Sequence, residues 1–108
     1  MPYQYPSWWI NLTEEDIAAH SNGCGPGAWK IDLVPDELLG VDFHLCCIIH
    51  DVEYWQGKDK QAADCRLLAN MLVACLEQHP DKARKFVPLA FTYYEAVRVA
   101  GHACFGRG

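Results

Sequence analysis

The sequence predicts a mainly α-helical fold, and three observations carry that prediction. Apolar residues recur at helical spacing through three long stretches. Helix-starting and helix-ending residues bracket each of them. No segment shows the period-two alternation of a half-buried strand.

Thr13-Glu14-Glu15-Asp16 resembles a capping box that opens a short helix through His20, with acidic residues suited to the positive end of the helix dipole. The breaker cluster Ser21-Asn22-Gly23-Cys24-Gly25-Pro26-Gly27 predicts an irregular loop. Ala28 to Gly40, punctuated by Pro35 and Gly40, reads as loop with at most one helical turn. From Val41 to Gln56, Phe43, Cys46, Cys47, His50 and Tyr54 recur at helical spacing, which predicts a helix over about 42–56 ended by Gly57. Asp59 caps a second helix over about 59–78, whose buried stripe is Ala63, Leu67, Leu68, Met71, Leu72, Cys75 and Leu76. His79-Pro80 terminates it, because proline disfavours helical geometry in the residue before it. Asp81 opens a third helix over about 81–100, with Phe86, Leu89, Ala90, Tyr93, Tyr94 and Val97 inward and a slight kink expected at Pro88.

The 108 residues fit one domain, 1–108, with a thin core. A net charge of −5 without a basic run makes nucleic acid a poor partner and weakens purely electrostatic attachment to anionic lipid. No apolar run is long enough for a transmembrane segment, and Met1 to Pro6 lacks a signal-peptide pattern. Six cysteines, Cys24, Cys46, Cys47, Cys65, Cys75 and Cys104, are even in number and favour disulfides, whereas a reducing compartment would leave thiols or metal ligands. Cys65 and Cys75 lie ten positions apart on one predicted helix, about 15 Å, so they do not pair together.

The chemistry-bearing segment is Cys46-Cys47-Ile48-Ile49-His50-Asp51-Val52-Glu53-Tyr54. On a helix, His50 shares a face with Cys47 and Tyr54, while Asp51 lies about 100° round. Ca²⁺ takes six to eight oxygens from carboxylates and carbonyls. Asp51 supplies a carboxylate, and the glycines of Gly23-Cys24-Gly25-Pro26-Gly27 allow the backbone to turn several carbonyls inward. A metal held this way polarises a substrate carbonyl while His50 takes a proton from an attacking water, which is metal-assisted ester hydrolysis.

Cys-Cys-x-x-His-Asp-x-x-Tyr at 46–54, with Gly-Cys-Gly-x-Gly at 23–27, resembles the active-site signature and calcium loop of the secreted phospholipase A2 superfamily, viral and prokaryotic types included. The likeness covers 23–27 and 43–54, with a looser one in the C-terminal helix. It implies a phospholipase A2-like fold of antiparallel long helices with a calcium-binding loop and disulfide support. It implies hydrolysis of the sn-2 ester of glycerophospholipids at a membrane or micelle surface by a secreted or otherwise exported protein. Gly23, Gly25 and Gly27 would give carbonyls to Ca²⁺ and Asp51 both carboxylate oxygens. The Gly25 N–H would help hold the oxyanion, and His50 would be the general base. Cys24 would pair with Cys47, and Cys46 would reach towards Cys104. Tyr54 would bond near the carboxylate that orients the histidine.

The family places that carboxylate as an Asp on the antiparallel helix. The C-terminal helix has no Asp beyond position 81, and gapless alignment on Cys104 puts Arg98 there, which cannot accept a bond from imidazole. Glu95 is therefore the expected orienting residue, with Tyr93 and Tyr94 as weaker alternatives. Two other classes stay open: a weak or inactive binding or toxin-like module, and a zinc-stabilised interaction domain using Cys24, Cys46, Cys47 and His50. Paired Cys-x₂-Cys elements are lacking for the latter. Trp8 and Trp9 are candidates for an interfacial aromatic patch, and Trp29 for core.

Overall fold

The structure, a computed structural model, describes residues 3–20 and 37–100. Those residues are mainly helical. A 3-10 turn, Ser7–Asn11, leads into α1, Glu14–His20. The Thr13 N–H donates to Asp16 Oδ2 at 3.0 Å and the Asp16 N–H to Thr13 Oγ1 at 3.1 Å, the reciprocal pair of a capping box.

Two short antiparallel strands are present: β1 (Glu37–Leu38) stands where a loop with at most one helical turn was expected, and β2 (Val41–Asp42) takes the first residues of the segment read as helix. The turn between them, Leu39 and Gly40, has φ 55° and 80°. Positive φ at both centres gives the twist that a two-residue hairpin prefers. A pair of two-residue strands is too short to announce itself by alternation.

The helix α2, His44–Gln56, ends at Gly57, whose left-handed φ of 66° suits a residue without Cβ. Gly57 to Asp59 turns the chain back into α3, Lys60–Gln78. The Asp59 side chain accepts from the Ala62 N–H at 3.0 Å, capping one of the helix's orphan donors. A 3-10 turn, Pro80–Lys82, precedes α4, Ala83–Ala100, which holds Pro88 within it.

The helix α3 packs against both α2 and α4. Between them Val41, Phe43, Cys46, Leu67, Met71, Ala74, Cys75, Phe86, Ala90 and Val97 form the core. Phe43 and Phe86 meet edge-to-face with centroids 6.0 Å apart. Leu76 and Leu89, expected on inner faces, are exposed at the rims of their stripes. The helix α1 docks on α2 through His20, stacked on Trp55 with centroids 3.7 Å apart.

Polar clips tie the ends to α3. Buried Asn70 exchanges two bonds with the Gln4 backbone: its Oδ1 accepts from the N–H at 2.7 Å, and its Nδ2 donates to the carbonyl at 2.9 Å. Gln78 makes the same exchange with Asp42, at 2.8 and 2.6 Å. Lys82 Nζ donates to the Leu39 carbonyl at 2.8 Å, holding the hairpin turn against the start of α4.

Candidate active site

The site is built on α2. His50, Asp51 and Tyr54 are all buried, His50 and Asp51 each 3 % exposed. His50 Nε2 lies 2.8 Å from Asp64 Oδ1, a carboxylate on the first turns of α3. The Tyr54 hydroxyl donates to the same oxygen at 2.5 Å, and its ring lies beside the imidazole with centroids 4.2 Å apart.

The other Asp64 oxygen, Oδ2, accepts from Lys60 Nζ at 2.8 Å and from the Arg98 guanidinium at 3.1 Å. Lys60 Nζ also donates to the carbonyls of Val97 and Arg98, at 3.0 and 3.1 Å. Both carbonyls lie in the C-terminal part of α4, so the ammonium bridges the start of α3 to that helix. One ammonium thus satisfies a buried carboxylate and ties α3 to α4.

Asp64 is wholly buried. Burial works against its charge, but the bonds from His50, Lys60 and Tyr54 outweigh that penalty and hold the carboxyl at about 2. Tyr54 moves the other way: burial first, then its bond to Asp64, pushes the phenol far above its usual range. An ionised carboxylate only accepts, so in neutral His50 the Nε2 atom carries the proton and Nδ1 the lone pair. The arrangement fixes both the tautomer and the ring orientation of a potential general base.

This corrects the expectation for Glu95. Glu95 is exposed, two positions and so about 200° round α4 from buried Val97. Asp64 has the orienting place instead, because the three-residue turn after α2 folds the start of α3 directly against the His50–Tyr54 face. Position 98 does enter the cluster, but Arg98 acts there as a donor to Asp64. Tyr94 also stands away from His50, with its hydroxyl 3.7 Å from Cys65 Sγ.

No protein-family model, curated protein or solved structure matches this chain.

Of the expected metal ligands, Asp51 lies on α2, adjacent in sequence to His50. Gly23, Gly25 and Gly27, with Cys24, Trp29 and Cys104, lie outside the described residues. Asp51 is buried, and its carboxylate is an oxygen donor of the kind Ca²⁺ takes. Among the described residues no three His, Cys, Asp or Glu side chains group to hold a metal ion.

Cys46, Cys65 and Cys75 stand as thiols, and no two cysteines are within disulfide distance among the described residues. Burial pushes the Cys46 thiol up to about 12, which disfavours the thiolate that zinc would need. Trp8 and Trp9 are half-buried and adjacent, with centroids 6.5 Å apart. No helix among the described residues is long and apolar enough to cross a membrane.

Proposed function

We propose that this chain is a Ca²⁺-dependent hydrolase of the sn-2 ester of glycerophospholipids, with a phospholipase A2-like fold. The observation that carries the reading is the His50–Asp64 bond, which leaves Nδ1 of an oriented, buried imidazole as the basic atom. His50 takes a proton from water at Nδ1 as the water attacks the ester carbonyl. Asp64 stabilises the resulting imidazolium while Tyr54, Lys60 and Arg98 keep its own charge in place. The proton then passes from Nδ1 to the departing alkoxide of the lysolipid.

Asp51 and the carbonyls of Gly23, Gly25 and Gly27 would hold the Ca²⁺. When bound, the ion supplies charge that polarises the ester carbonyl and stabilises the oxyanion. A Cys24–Cys47 disulfide and export from the cell belong to the same reading. Purified protein should release fatty acid from phosphatidylcholine vesicles in millimolar-range Ca²⁺ and not in chelator. His50→Gln should abolish turnover while leaving Ca²⁺ binding, and Asp51→Asn should weaken that binding. Intact vesicles and intact monomeric lipid at every Ca²⁺ concentration would sink the hydrolytic reading. Ca²⁺ binding without turnover would point to a binding module on the same scaffold.

A further inference from the structure

A second polar cleft lies where the N-terminal 3-10 turn meets the α2–α3 junction. Its accessible volume is about 200 Å³, and Ser7, Trp8, Glu53, Lys58, Asp59 and Arg66 are in its wall. That is room for several waters or one small polar group.

Its hydrogen-bonding capacity is unbalanced. Glu53 is 95 % buried; Oε2 accepts from the Arg66 guanidinium at 2.5 Å, and Oε1 is buried with no partner. A buried carboxylate oxygen without a donor is costly. The terminal torsion of a glutamate is soft, so Oε1 can turn to a donor in the cleft at little cost. On the other side of the balance, Arg66 uses one nitrogen on Glu53 and keeps further N–H groups for a ligand. The Lys58 ammonium sits 5.4 Å from the Trp8 ring centroid and has no carboxylate partner among the described residues. The Asp59 carboxylate is engaged as the cap of α3.

The unmet groups are therefore several cationic donors and one carboxyl oxygen, which is an anionic acceptor above about pH 7. We propose that this cleft binds a phosphate ester that also carries a primary ammonium, the chemistry of an ethanolamine phosphate headgroup. The phosphate accepts from Lys58, Arg66 and the Ser7 hydroxyl, and the ammonium donates to Glu53 Oε1. A quaternary ammonium fits poorly for two reasons. It has no N–H to give Oε1, and the Trp8 face that would attract it already holds Lys58. The site draws on no residue of the His50–Asp64 cluster, so it stands whether or not the chain hydrolyses lipid.

The test is calorimetric titration of the full chain in chelator, where no Ca²⁺-dependent turnover interferes. The probes are phosphoethanolamine, phosphocholine and inorganic phosphate, then vesicles bearing phosphatidylethanolamine or phosphatidylcholine. Phosphoethanolamine should bind saturably and at least about tenfold tighter than phosphocholine or phosphate, the worth of one charge-assisted bond. Glu53→Gln should erase that preference, and Lys58→Met, an exposed position, should weaken phosphoethanolamine about tenfold without disturbing the fold. A matching preference on vesicles identifies a membrane lipid as the source, and a preference confined to the soluble ester identifies a free metabolite. Equal affinity for the three soluble probes, no saturable binding, or full binding by Lys58→Met overturns the proposal.

Discussion

His50 is bonded to Asp64, fourteen positions further along the chain, at 2.8 Å through Nε2. Both groups are removed from solvent, and the carboxylate is surrounded by four donors from three helices. The imidazole is thereby oriented by a neighbour in the adjoining helix and not by the C-terminal one.

Asp64→Asn keeps the shape of the side chain but removes the charge that fixes the histidine tautomer. If the hydrolytic reading holds, turnover should fall by about 10²–10⁴-fold, measured as fatty acid release. Glu95→Gln should leave it within twofold or so, since Glu95 is exposed and apart from the cluster. Equal losses in the two variants would return the orienting role to Glu95.

Lys60→Met removes three bonds at once, to Asp64 Oδ2 and to the Val97 and Arg98 carbonyls. Three other donors remain on Asp64, so the expected cost is about 2 kcal/mol and not the full penalty of an unpaired buried charge. Urea unfolding measures the loss. Amide exchange should quicken in the last turn of α4 more than in α3.

Stability should depend on pH through two carboxyls of opposite sign. Asp64 has its folded value depressed from 3.8 to about 2, so its contribution is present above about pH 4 and lost as pH falls through about 2. That contribution is about 2 kcal/mol. Glu53 is raised from 4.5 to about 7, because burial outweighs the attraction of Arg66. Its contribution is present below about pH 4.5 and lost as pH rises through about 7, by up to about 3 kcal/mol. Maximum stability should therefore lie near pH 4 to 5. Urea midpoints across pH should show a decline between pH 4.5 and 7 that Glu53→Gln removes; an unchanged decline would assign it to another group.

Leu39 adopts φ 55° in the hairpin turn, a conformation that costs a non-glycine residue about 1 kcal/mol or more. Its side chain is partly exposed and absent from the core, so little packing is lost on replacement. Leu39→Asn should stabilise the protein by about 0.5–1 kcal/mol, read as a raised urea midpoint. A lowered midpoint would show that Leu39 makes contacts that outweigh its strain.

The helices were legible because their punctuation is local. Thr13 with Asp16, Asp59 with Ala62, and Gly57 at its left-handed φ each act within a few positions of their own place. His50 and Tyr54 were legible from their spacing on one helix, and the structure gathers both onto Asp64. Asp64 itself was not. An aspartate within a helix ordinarily reads as a solvated surface charge, and its meaning here depends on which helix folds against α2. A signal was present: Asp64 lies on the same stripe as Leu67, Leu68, Met71 and Cys75, with Lys60 one turn before it. A charged residue on a buried stripe, with a cation at i−4 and a three-residue turn after the histidine helix, points to a buried polar partner. The Asn70–Gln4 exchange escaped notice for a related reason, since its two members are 66 positions apart.

The Lys60 ammonium couples the orientation of His50 to the C-terminal part of α4. Fraying the last turn of α4 withdraws the Val97 and Arg98 carbonyls from Lys60 and Arg98 from Asp64, and the anchor of the histidine loosens with them. On warming, local opening there should loosen the imidazole before the Phe43–Phe86 core unpacks. The heat tolerance of the site should therefore follow that stretch of α4 more closely than it follows the fold as a whole.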